Sequence, residues 1–307
     1  MFEEKIVVGR GGEYPLNGIL TIPGSTGGPV PAVVLVHGSG STNMDEKISA
    51  NTPFRDIAEG LAERGIAAIR YDKRSFVYGH KLVKNPSFTV REETIEDAIL
   101  AADMLRNDDR IDSDRIFIAG HSMGGMLAPR IDAEGGNFAG LIIMAGTPRL
   151  LETVLFEQLD ELAATYKGPL GFIIRKQKKG LENKLAHIYD IDDEKAKTIK
   201  VAGGATVWYF KEMGLKDSPA YLAQTRKPIL VMHGAKDAQV RTDLDFYKYR
   251  ELLAGRDNVT FKLYPELNHL FITSAYGELK QLNKEYRIKG KVDARALDDI
   301  AEFIRSV

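Results

Sequence analysis

The sequence predicts an α/β fold with a mostly parallel central sheet flanked by helices and one long helical insertion. Three observations carry this. The strand-like stretches at 32–36, 66–71, 116–119, 139–145 and 228–233 are mostly apolar, and 32–36 is a continuous apolar run, as in strands buried on both faces of a parallel sheet. Helix-compatible stretches separate the runs. The alternation stops at Thr147-Pro148 and resumes only at Pro228. A connection of that length needs secondary structure of its own.

In chain order, 5–8 and 16–22 read as two strands joined by a glycine-rich turn, followed by a Gly/Pro-rich loop over 23–31. The run 32–36 is the first buried strand and ends in His37-Gly38-Ser39-Gly40. A helix is expected over 53–64, capped by Thr52, with Pro53 at its first position and Gly65 as its stop. The strand 66–71 leads into Asp72-Lys73-Arg74 and a loop running through Tyr78, His80 and Pro86. An amphipathic helix over 89–107 places Ile95, Ile99, Ala102 and Leu105 on one face. After the insertion come a strand at 228–233, a helix near 242–253, an alternating edge-type strand at 259–264 and a final helix near 294–304. The expected division is a core of 1–148 and 227–307 with a helical cap of 149–226. Lys176, Lys178 and Lys179 in the cap, nearly balanced by Asp190, Asp192, Asp193 and Glu194, read as a solvated helix face.

Composition removes several function classes. The net charge of −1 gives no global field for nucleic acid or an anionic membrane. The chain has no cysteine, so thiol catalysis, disulfides and cysteine-metal sites are out. The start, Met1-Phe2-Glu3-Glu4-Lys5, is charged and lacks the apolar stretch of a signal peptide, and no run has the length of a membrane span. A cytoplasmic protein is the expectation.

Gly120-His121-Ser122-Met123-Gly124-Gly125 lies between an apolar strand and a helix-compatible stretch. A sharp strand-to-helix reversal exposes the middle serine, and glycines two before and two after it let neighbouring backbones approach. Ser122 is therefore the candidate nucleophile. In a parallel sheet, ligands gather beyond the carboxyl ends of the strands, so the partners of Ser122 should follow strands directly. Of the six histidines, His37 and His121 sit inside glycine motifs, His233 ends a strand, His80 is in a loop and His187 in the cap. His269 follows the last strand and comes after the serine in the chain, as the order Ser…Asp/Glu…His requires. The bland reading of His269 is a surface-loop or capping residue. Asp237, in the loop after 228–233, is the candidate acid. An Asx-turn aspartate would look the same. Asp243 and Asp245 are weaker candidates because they fall in the following helix.

With these pieces the chain resembles the α/β-hydrolase superfamily, and within it bacterial serine esterases related to dienelactone hydrolase and feruloyl (cinnamoyl) esterases. The resemblance rests on His37-Gly38-Ser39-Gly40, Tyr71-Asp72-Lys73-Arg74, the motif around Ser122, His233-Gly234-Ala235-Lys236-Asp237 and Asn268-His269. It spans nearly the whole core and fades in the cap. It implies an α/β-hydrolase fold and a triad of Ser122, His269 and Asp237. It also implies an oxyanion hole from the amides of Met123 and Ser39, with Gly40 as second choice for the latter. No metal or organic cofactor is implied. The expected partner is a small-molecule ester, with no nucleic acid and no membrane, and a homodimer is compatible with the sequence.

Two features stay open at this level. The stretch from Gly203 to Phe210, with Trp208 and Tyr209, either lines the substrate pocket or packs the cap on the core. Asp72-Lys73-Arg74 either touches substrate or forms a structural ion-pair cluster. The expected activity is hydrolysis of short-chain acyl or hydroxycinnamoyl esters. Thioesterase, lipase and peptidase activity on the same triad, or a non-catalytic binding protein, are the alternatives.

Overall fold

A computed structural model describes residues 1–24, 27–201 and 204–307. Gly203, expected at the start of the apolar cap stretch, and part of the 23–31 loop lie outside the described residues. Among the described residues, eight strands form one sheet: β1 (Phe2–Val8), β2 (Leu16–Ile22), β3 (Val30–Val36), β4 (Ala67–Tyr71), β5 (Ile111–His121), β6 (Leu141–Met144), β7 (Ile229–Gly234) and β8 (Val259–Tyr264). Their order is β1-β2-β4-β3-β5-β6-β7-β8. All neighbours from β4 across to β8 are parallel, and β1 and β2 run antiparallel at the edge. This is the α/β-hydrolase architecture.

The continuous apolar strands serve two cores at once. Along β3, Val34 and Val36 face one cluster with residues of α3 (Glu96–Arg106) and α4 (Met123–Ile131). Val33 and Leu35 face the other, with residues of α1 (Pro53–Glu63) and of the C-terminal helix at Ala294–Ser306. Alternate residues of a strand point to opposite faces, so a strand covered on both sides is apolar at nearly every position; Arg70 of β4 departs from this, buried but paired with Asp45 and Glu3.

Four local expectations are corrected. Thr52 precedes α1 but makes no side-chain cap; its main-chain oxygen accepts from Asp56 N instead. The segment after β4 is not a loop but α2 (Arg74–Leu82), broken at Tyr78. Its Phe76 and Val77 are exposed and its backbone is non-helical at Tyr78, so its apolar residues form no stripe facing the core. The helix expected over 89–107 begins with a π-turn at Arg91–Ile95 before α3. A second π-turn, Thr242–Phe246, precedes α10 (Tyr247–Leu252). Wider turns of this kind shift the side-chain phase and blur a 3.6-residue period.

Among the described residues, five α-helices lie between β6 and β7: α5 (Leu151–Thr165), α6 (Gly168–Leu185), α7 (Asp193–Thr198), α8 (Val207–Leu215) and α9 (Ser218–Gln224). α5 and α6 pack as a hairpin. Asp192 and Asp217 cap α7 and α9 through their carboxylates. The insertion is tied to the core by a buried ion pair, Arg130 of α4 to Glu212 of α8, with Arg130 also on Glu134. Lys178 pairs with Asp160 and Glu182, while Lys176 and Lys179 are exposed. The chain ends with α11 (Leu282–Glu285) and α12 (Ala294–Ser306). Among the described residues, no helix is long and apolar enough to cross a membrane.

Candidate active site

Ser122 sits between the end of β5 and the first residue of α4, at φ 54° and ψ −116°. This is a strained conformation for a residue with a side chain, held because its neighbours fix it. The Ser122 amide donates to Met144 O at 2.8 Å, which pins the elbow to the next strand. A Cβ on Gly120 would run into the Gly124 carbonyl, and one on Gly124 would run into the Val36 and His37 carbonyls. The two flanking glycines are thus required by backbone approach on both sides of the serine.

The loop after β7 carries Asp237, whose side chain is fully buried. Oδ1 accepts from the Gln239 and Val240 amides at 2.8 and 2.9 Å. Oδ2 lies 2.6 Å from His269 Nδ1. Asp237 therefore makes an Asx-type turn and holds His269 with the same carboxylate. The His233 ring stands 3.5 Å from Oδ2 and donates its Nε2 proton to Val240 O at 2.9 Å. Burial pushes the Asp237 carboxyl up, but His269, His233 and the Val240 amide outweigh it, so its pKa is lowered.

His269 follows β8 in a loop shaped by Asn268, whose Oδ1 accepts from the Leu270 and Ile272 amides. Asn268 in turn donates to Glu285 at 2.8 Å. Gly234 lies under this loop, where a Cβ would run into the Leu267 and Asn268 carbonyls. Burial lowers the His269 pKa below its ordinary value, against the opposing pull of Asp237. A buried imidazole that is neutral near pH 7 and held by a carboxylate at Nδ1 leaves Nε2 free to accept a proton.

His121 joins the two halves of the site. Its Nε2 lies 2.9 Å from the main-chain oxygen of His269, and the two rings are 4.7 Å apart. Its Nδ1 lies 2.9 Å from Glu46 Oε2. The oxygen is out of line with the ring N–H, so this is an ion-pair contact rather than a well-directed hydrogen bond. Burial alone would lower the His121 pKa, but Glu46 reverses the sign and raises it. The other Glu46 oxygen accepts from Gly38 N at 2.8 Å. Nothing in the local sequence of Glu46 marks it.

The turn after β3 faces the serine: a Cβ on Gly38 would stand 3.0 Å from Ser122 Cβ. Gly38 gives its amide to Glu46, whereas Ser39 and Gly40 are exposed. Among the described residues, neither the Ser39 nor the Met123 amide has a protein acceptor. Met123 opens α4, so its N–H also carries the positive end of the helix dipole.

The remaining candidates lie elsewhere. Asp245 is fully buried but bonds Arg149, Thr147 and the Arg241 amide, away from His269. Asp243 pairs with Arg241 at the surface. His37 bonds Asn43 O, and burial lowers its pKa to about 4. His80 lies on α2, and His187 is exposed in the insertion. Tyr209 is buried, with its hydroxyl 2.5 Å from Glu93 and 3.8 Å from Met123 Sδ. Trp208 is half-buried beneath the Lys197 ammonium. A cleft of about 520 Å³ between α5 and the 238–241 segment borders the Asp237 loop, but neither Ser122 nor His269 lines it. Among the described residues, no group of three or more His, Asp or Glu side chains is placed to hold a metal ion.

Comparison with known proteins agrees with this architecture. Residues 33–281 match the profile of the alpha/beta hydrolase family. The chain is 38% identical to esterase EstD of Thermotoga maritima over 307 residues, covering 99% of this chain and 68% of that protein. Est1E from Butyrivibrio proteoclasticus superposes with a TM-score of 0.58 at 18% identity, covering 98% of this chain and 99% of Est1E. A Pyrococcus furiosus esterase does so with a TM-score of 0.58 at 15% identity, covering 99% and 91%.

Proposed function

Because this chain belongs to the alpha/beta hydrolase family, we propose that it hydrolyses carboxylic esters with Ser122 as nucleophile, His269 as base and Asp237 as the orienting acid. The single observation that carries this reading is the 2.6 Å contact between His269 Nδ1 and Asp237, on the loops after β8 and β7, beside the strained turn that presents Ser122. The esterase name of the Thermotoga maritima relative supports the reaction class.

Ser122 Oγ attacks the ester carbonyl and its proton passes to His269 Nε2. Asp237 holds the imidazole and stabilises its cation. Charge gathers on the former carbonyl oxygen, which the amides of Met123 and Ser39 receive, with Gly40 as the second choice. Collapse expels the alcohol with the proton from His269 and leaves an acyl-serine. Water, deprotonated by His269, attacks that ester; the acid departs and Ser122 regains its proton. Loss of one oxyanion donor lowers such rates by about 10²–10³-fold.

The insertion 149–226 is the cap of this proposal, and short-chain acyl or hydroxycinnamoyl esters are its substrates. Tyr209, next to Met123, supports a place for Tyr209 and Trp208 on the substrate side of the cap. The test is an ester panel from acetyl to long acyl chains and feruloyl esters, run on the wild type and on Ser122→Ala. Turnover of short-acyl esters that vanishes in the variant supports the assignment; retained turnover in Ser122→Ala overturns it.

A further inference from the structure

Lys73 is among the most buried cations in the chain, only 2% exposed. Its ammonium is turned onto the loop after β3. It donates to Gly38 O at 2.8 Å and to Gly40 O at 3.0 Å, the two carbonyls of the turn opposite Ser122. Its counter-charge is Glu93 at 3.3 Å, at the start of the region that leads into α3. The other Glu93 oxygen accepts from the hydroxyl of Tyr209 on α8 of the insertion. The same hydroxyl touches the sulfur of Met123.

The peptide geometry gives this cluster a consequence. Among the described residues no peptide bond is cis, so in this turn each N–H points opposite to the carbonyl of the residue before it. A cation on Gly38 O therefore turns the Ser39 N–H away from itself, toward the open side of the turn. It also polarises that peptide, making the N–H a stronger donor. Glu46 takes the Gly38 N–H on the other side, so the turn is gripped by a buried cation on its carbonyls and a buried anion on its amide. Gly40, at φ 87°, supplies the backbone freedom that lets two carbonyls so close in sequence converge on one ammonium.

We infer that Lys73 is a positioning residue that aims and polarises the Ser39 amide at the oxyanion, and that the insertion sets Lys73 through Tyr209 and Glu93. This rests on the assignment of Ser39 to the oxyanion hole. Neither Lys73 nor Glu93 touches substrate. Movement of α8 that breaks the Tyr209–Glu93 bond frees Glu93 to draw Lys73 off the turn, so the placement of the insertion and the competence of the hole are linked.

The experiment uses the full chain and two substrates that differ at one atom, a p-nitrophenyl ester and its thionoester. Sulfur is a poor hydrogen-bond acceptor, so a working oxyanion hole favours the oxygen substrate, and a hole that has lost its aim favours it less. Lys73→Met is combined with Glu93→Gln so that no buried charge is left unpaired. The double variant is expected to lose about 10–100-fold in kcat on the ester, a partial loss of one oxyanion donor, with KM changed less than about 3-fold. Its ester-to-thionoester rate ratio falls by a comparable factor. Tyr209→Phe, which keeps both charges and nearly all the packing, shows the same pattern at smaller size.

An unchanged ester-to-thionoester ratio in the folded double variant overturns the role of Lys73. If that variant does not fold, Tyr209→Phe decides: an unchanged ratio there overturns the link to the insertion and with it the inference. Failure of the wild type to hydrolyse any ester is a different result, because it removes the esterase reading itself.

Discussion

His121 Nε2 lies 2.9 Å from the main-chain oxygen of His269, while its other ring nitrogen stands 2.9 Å from the buried Glu46 carboxylate. The residue before the proposed nucleophile therefore holds the backbone of the proposed base. A carboxylate beside one nitrogen and a carbonyl oxygen at the other both favour the protonated ring, so the His121 pKa is raised and Glu46 is its buried counter-charge.

That pair predicts an asymmetric response to mutation. His121→Gln leaves the Glu46 carboxylate buried without its cation and is expected to lose about 3–5 kcal/mol of stability in urea unfolding. Adding Glu46→Gln removes the stranded charge and returns more than half of the loss. A His121→Gln protein within about 1 kcal/mol of the wild type, the size of an ordinary point substitution, would sink the ion-pair assignment.

The acidic limb of the pH–activity profile belongs to His269. The protonated ring cannot accept the serine proton, so activity falls as the pH drops through its pKa. Burial places that pKa below the ordinary 6.5. The kcat/KM profile for a short-acyl ester should therefore have its acidic midpoint below 6.5. Asp237 opposes the shift, so Asp237→Asn moves the midpoint lower still, with kcat down by about 10⁴-fold from the lost orientation. A wild-type midpoint above 6.5 would assign the limb to another group, such as His121, whose pKa is raised.

Gly124 tests how tightly the elbow meets the oxyanion turn. A methyl group there runs into the Val36 and His37 carbonyls, so β3 and the turn after it must retreat from Ser122. Gly124→Ala is expected to lose about 1–3 kcal/mol of stability, as overpacked sites do. Because misplacement by about 1 Å can lower a rate about 10²-fold, kcat/KM should fall by roughly that factor. Near-wild-type kcat/KM in the folded variant would contradict the close approach.

Much of the fold was legible before any coordinates. Double-sided burial forces a strand such as 32–36 to be apolar at every position, so the parallel strands announce themselves one by one. That Ser122, Asp237 and His269 each lie beyond a strand end was readable for a related reason: the spacing of apolar stretches marks where strands stop. Segments whose pattern departs from the 3.6-residue period are not legible in this way: the kinked α2, with Phe76 exposed, reads as a loop, and the π-turns before α3 and α10 read as plain helix.

By itself, the sequence determined which residue types stand at the strand ends, because local spacing and hydrophobic pattern are properties of short stretches of chain. Only the tertiary structure decided what surrounds them. Lys73 reaches Gly38 across 35 positions, Tyr209 reaches Glu93 across 116, and Glu46 meets His121 from another segment altogether. In sequence, Glu46 is an ordinary charged residue of the kind that mostly faces solvent, and Lys73 belongs to a strand-end cluster that could equally touch substrate or form ion pairs. Buried ionisable groups must find partners wherever the fold brings them, and that pairing depends on three-dimensional proximity, which no local pattern encodes.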